Sequence, residues 1–107
     1  MKDPTFTPVY AYVYPAMCEI ARSKGYALAL HGTMQRDFDL IAVPWVDEAV
    51  DAPELVAALE QVAGGYVFAH PALGREPTPK PHGRMSWVLV LDNGAFIDLG
   101  VMPKVGR

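Results

Sequence analysis

A chain of 107 residues, 51% apolar and with a formal net charge of -3, fits one domain and leaves no room for a second. The weak acidic balance carries no strong nucleic-acid signal, because domains that live on phosphate backbones show a basic excess. Cys18 is the lone cysteine, Met1-Lys2-Asp3-Pro4 lacks a signal-peptide pattern, and no apolar run reaches the ~20 residues of a bilayer span, so the expectation is a cytoplasmic domain without disulfides or membrane contact.

Thr7-Pro8 supplies an N-cap and a proline at the first helical position. Val9, Val13, Met17, Ile20 and Ala21 then recur at spacings of three and four, which predicts one apolar helical face. Pro15 is expected to kink this helix or begin a second one. Of Tyr10, Tyr12 and Tyr14, at most one is expected to face the core, leaving the others for an interface. Cys18 reads as a small buried hydrophobe with no histidine or cation beside it in sequence. Lys24-Gly25 is a helix stop.

Tyr26 to His31 reads as a short buried strand closed by Gly32, with His31 a hydrogen-bonded structural residue. Phe38 to Trp45 reads as a second strand. Asp51-Ala52-Pro53-Glu54 has capping-box spacing, and Leu55, Leu59, Val62 and Ala63 share one face of the helix that follows, ended by Gly64-Gly65. From His70 to Arg84, Pro71, Pro77, Pro79 and Pro81 exclude a helix or a central strand and predict a long loop. Within it, Lys80, His82 and Arg84 form the one local basic run, suited to a phosphate or an acidic partner. His70 and His82 lack zinc-ligand spacing. Met85 to Leu91 and Ala95 to Val101 read as strands of a hairpin turning at Asp92-Asn93-Gly94. The order predicts an α+β fold: a mixed or antiparallel sheet of about four strands with two helices on one face.

Carboxylates are the candidate chemistry. Asp37 and Asp39, two residues apart on a strand, share one face. Asp98 interrupts the apolar run Phe96-Ile97-Asp98-Leu99, where a charge is expensive unless solvated, paired or bound to a cation. If the two strands are neighbours, the acids converge into an oxygen-only set suited to Mg²⁺ or Mn²⁺. The plainer alternatives are solvated acids, with Arg36 pairing Asp37 or Asp39 and with Arg84 or Lys104 pairing Asp98.

Gly32-Thr33, then Asp37-Phe38-Asp39, then a lone aspartate on a later strand resembles the motif set of the nucleotidyltransferase superfamily. The resemblance implies a turn at Gly32-Thr33, a metal-binding pair at Asp37 and Asp39, a third acid at Asp98, and a nucleotide ligand. The chain is also similar to small proteins of phages and prophages, through His31-Gly32, Arg36 to Trp45 and Lys80-Pro81-His82-Gly83-Arg84. It departs from the superfamily pattern in one place. Only Met34, Gln35 and Arg36 separate Thr33 from Asp37, too few for the short helix that stands there in the superfamily.

The shortened turn favours an accessory module that keeps the fold and binds a partner protein. The alternative is a metal-dependent nucleotidyltransferase-like enzyme with Asp37, Asp39 and Asp98 as metal ligands and Gly32, Thr33, Arg36, Lys80, His82 and Arg84 near substrate. A third class is a metal- or ligand-binding domain without transfer chemistry.

Overall fold

The computed structural model describes residues 7–31, 37–63, 66–67, 77–90 and 96–104, without the side chains of residues 7–9, 31, 37, 62, 63, 66, 67, 90 and 96. Helix α1 (Thr7–Ser23) leads into strands β1 (Tyr26–His31) and β2 (Asp37–Pro44), then helix α2 (Ala52–Ala63). Two short strands follow, β3 (Tyr66–Val67) and β4 (Thr78–Pro79), then β5 (Met85–Val90) and β6 (Phe96–Val101). The sheet runs β1-β2-β6-β5-β3, with β4 on the same edge of β5. It is mixed: β2 and β6 are parallel and every other pair is antiparallel. The expected α+β class and helix placement hold, and the four long strands gain two dipeptide edge strands.

One sheet face carries the core. Phe38, Leu40 and Ala42 of β2, Ile97, Leu99 and Val101 of β6, and Trp87 and Leu89 of β5 are buried against Tyr10, Val13, Met17 and Ala21 of α1 and Leu55, Val56 and Leu59 of α2. Each fully buried Leu or Phe contributes about 1.5–3 kcal/mol relative to exposure. α1 is one helix across Pro15. Pro15 and Ala11 both lie on the exposed side; proline has no N–H to donate to the carbonyl four residues before it. Two of the three tyrosines face inward. Tyr10 and Tyr14, one turn apart, both pack on Phe38, with ring centroids at 4.7 and 5.7 Å, while Tyr12 is 85% exposed.

The helix stop at Lys24-Gly25 also joins two elements. Gly25 has φ +93°, and a Cβ there would lie 2.6 Å from the Ala49 Cα. Its carbonyl accepts from the Trp45 N–H, and the Lys24 carbonyl accepts from Val50 N–H. The Asp51 carbonyl takes the Glu54 and Leu55 N–H groups, starting α2 where the sequence predicts.

β1 is an edge strand rather than a buried one, with Ala27, Ala29 and Leu30 exposed. Its uniform apolarity reads as burial in sequence, yet its small alanines occupy an uncovered face. The Tyr14 hydroxyl donates to the Leu28 carbonyl at 2.9 Å. α1 thereby blunts an edge that would otherwise invite another strand. The hairpin strands β5 and β6 pair as predicted, though Asp92-Asn93-Gly94 lies outside the described residues. The described end of the proline-rich segment is more ordered than a plain loop. β4 pairs with β5, and a 3-10 turn at Pro81–Gly83 joins them. Pro79 is tolerated because its strand is at the edge.

Candidate functional site on the uncovered sheet face

Side-chain alternation that buries Phe38, Leu40 and Ala42 sends Asp39, Ile41 and Val43 to the opposite face, which no helix covers among the described residues. The parallel ladder between β2 and β6 then decides the site. Asp39 and Asp98 are Cα partners, and Asp37 occupies the position opposite Phe96. On the other side of β2, His31 is the partner of Asp39. One row across three strands therefore reads His31, Asp39, Asp98.

Asp39 and Asp98 are each half-buried. The Asp98 Oδ1 accepts the Ser86 hydroxyl at 2.5 Å, which orients that carboxylate. Neither basic residue expected to pair with Asp98 does so. Lys104 reaches the Ala49 carbonyl at 3.1 Å and the Asp51 carboxylate at 3.3 Å instead. Arg84 makes no side-chain hydrogen bond or ion pair with any described residue; its side chain lies over Gly100. Ser86 and Gly100 were not candidates in the sequence. The signals were there: a serine in the outward register of an apolar strand, and a strand glycine, which marks close approach of another group.

Gly32, Thr33 and Arg36 lie outside the described residues, as does the side chain of Asp37. Lys80 and His82 are exposed on the turn before β5. Among the described residues, no group of three or more His, Cys, Asp or Glu is arranged to hold a metal ion. Asp39 and Asp98 are two oxygen donors on adjoining strands, the donor type a hard cation takes, and a third from the predicted set rests on Asp37.

A second feature lies at the far edge of the sheet. Cys18, Arg22, Tyr26, Ala27, Leu28 and Trp45 line a groove of about 290 Å³. Cys18 is half-buried rather than fully enclosed, its Sγ is 4.0 Å from the Leu28 carbonyl, and Arg22, one helical turn on, is a cation beside it. Burial raises the pKa of Tyr14, with the Cys18 hydrogen bond and charge adding to the shift and the Leu30 backbone opposing it. Tyr26 is also shifted up, by burial first and the Asp51 charge second; its hydroxyl donates to the Val50 carbonyl at 2.6 Å.

Comparison of the chain with family models, with curated proteins and with solved structures gives no match. No described helix is long and apolar enough to cross a membrane.

Proposed function

We propose that the uncovered sheet face is a divalent-cation site of the nucleotidyltransferase type, with Asp37, Asp39 and Asp98 as oxygen ligands for Mg²⁺ or Mn²⁺ and a phosphate-bearing small molecule, a nucleotide, as the ligand. The observation that carries this reading is the register of Asp39 opposite Asp98 on neighbouring parallel strands. Two carboxylates at facing positions of neighbouring strands present the paired oxygen donors that a hard divalent cation takes. The donor set is all oxygen, and Ser86 fixes one carboxylate through its Oδ1. A bound cation would neutralise phosphate charge and polarise the phosphoryl oxygen. The chain's own residues position the acids and present Arg84 on the same face.

Thermal melts of the wild type and Asp39→Asn, with and without millimolar Mn²⁺, test the proposal. A ligand that binds only the native state raises the wild-type melting temperature by mass action, and the variant should respond far less. Equal responses remove the cation site and with it any transfer chemistry.

A second reading, an accessory module that binds a partner protein, is favoured by Trp45, which is 61% exposed beside Arg22 in the groove. Tryptophan and arginine dominate interface energetics. On this reading, Trp45→Ala folds normally and loses a protein that co-purifies with the wild type from the same cells; retention of that protein by the variant removes the reading.

A further inference from the structure

We propose that Arg84, laid across Gly100, is an anion subsite that receives a phosphate oxyanion of the ligand held at the Asp39–Asp98 row; the inference rests on the cation-site reading and extends it. Arg84 stands two residues before Ser86 and shares the open face. A Cβ on Gly100 would lie 2.5 Å from Arg84 Nη1 and 2.8 Å from its Cδ. The aliphatic stem and the guanidinium therefore lie along the glycine backbone, and Gly100 is buried although its position belongs to the uncovered face.

This arrangement differs from that of a solvated arginine. Arg84 is only partly exposed, and its guanidinium has no hydrogen-bond or ion-pair partner among the described residues. The nearby acid on that face, Asp98, is bonded by Ser86 instead. A partly desolvated guanidinium is best satisfied by a planar or tetrahedral oxyanion that takes two parallel N–H bonds. Two residues of strand, the separation of Asp98 from Gly100, span roughly 7 Å. Over that distance one phosphate group can meet a cation at the carboxylates and the guanidinium over the glycine.

The turn before β5 holds the arginine in place. The Lys80 N–H donates to the Arg84 carbonyl at 2.8 Å. His82 and Gly83 both adopt left-handed backbone, at φ 66° and 77°. Left-handed backbone is uncommon for a residue with a Cβ, histidine being among the side chains that adopt it more often, and it fixes the path of the chain into Arg84. Lys80 and His82, both exposed, add basic groups beside the same turn.

Calorimetric titration of the full chain with inorganic tripolyphosphate in excess Mg²⁺, beside thermal melts with Mg²⁺ alone, tests the subsite. The wild type should bind tripolyphosphate. Arg84→Gln, which removes no side-chain bond to a described residue, should weaken binding roughly tenfold or more while keeping the wild-type response to Mg²⁺ alone. Gly100→Ala retains the arginine but displaces it, and should weaken binding similarly; Arg84→Lys should restore only part of the loss. Absence of tripolyphosphate binding by the wild type, or equal affinity for wild type and Arg84→Gln, overturns the subsite. A Mg²⁺ response without dependence on Arg84 leaves the cation site standing and removes the subsite. Binding that depends on Arg84 without any Mg²⁺ response upholds the subsite and removes the cation site.

Discussion

Asp39 and Asp98 face each other across a parallel ladder, while the residues beside them in sequence, Phe38 and Ile97, are completely buried on the other side of the same two strands. The strand period thus makes one pair of strands serve both the core and the acidic row. A change to either acid is separable from the core, and a change to Phe38 is not.

Asp98→Asn is expected to leave stability unchanged or raise it by up to about 1 kcal/mol, because it removes a facing like charge and keeps an oxygen to accept the Ser86 hydroxyl. Urea unfolding checks this. A loss above about 1 kcal/mol would mean that the charge itself is held by a favourable contact.

Phe38→Ala should behave in the opposite way. The ring stacks on Tyr10 and meets the edge of Tyr14, so its removal leaves a cavity between α1 and β2. Such truncations cost about 3–5 kcal/mol. Denaturant unfolding that shows a loss below about 1 kcal/mol would place Phe38 outside the core.

How legible this was in the sequence depended on which residues carried the signal. Helix α2 was readable because capping residues and periodicity agreed, and the β5–β6 pairing because Asp92-Asn93-Gly94 separates two apolar runs. Asp98 stood out as a charge in an apolar strand. The edge position of β1 was not readable, since alanines look the same on a covered and an uncovered face. The Tyr14 packing was lost because counting alternate tyrosines overlooks that positions 10 and 14 are one helical turn apart. The pairing of β2 with β6 was the missing step for the site: register between strands far apart in sequence is set by the whole core, and no local motif encodes it.

Gly25→Ala should destabilise the protein by about 2 kcal/mol or more, from the left-handed backbone and from the approach of the new methyl to the Ala49 backbone. Thermal unfolding provides the measurement; a neutral effect would mean that the Gly25–Ala49 contact opens readily.

Stability should also fall at high pH. Tyr14 and Tyr26 both have raised pKa values, chiefly through burial. The folded state therefore holds their protons more tightly than the unfolded chain does. That contribution is fully present below the unfolded value of about 10 and is lost as pH rises through the folded values. Tyr26→Phe should cost about 1 kcal/mol at neutral pH through the lost bond to Val50 and should flatten the fall above pH ~10. Urea unfolding from pH 7 to 11 reads both effects, and an unchanged alkaline slope would assign the fall to other groups.

A cation held jointly by Asp39 and Asp98, as proposed, would be visible directly. The most direct measurement is a crystal of the protein soaked in Mn²⁺, with an anomalous difference map calculated at the manganese edge. One dominant peak is expected between the Asp39 and Asp98 carboxylates, on the sheet face opposite Phe38, and no such peak in Asp98→Asn. A saturating soak that leaves that position without a peak, or a peak there that survives the substitution unchanged, would contradict the proposal.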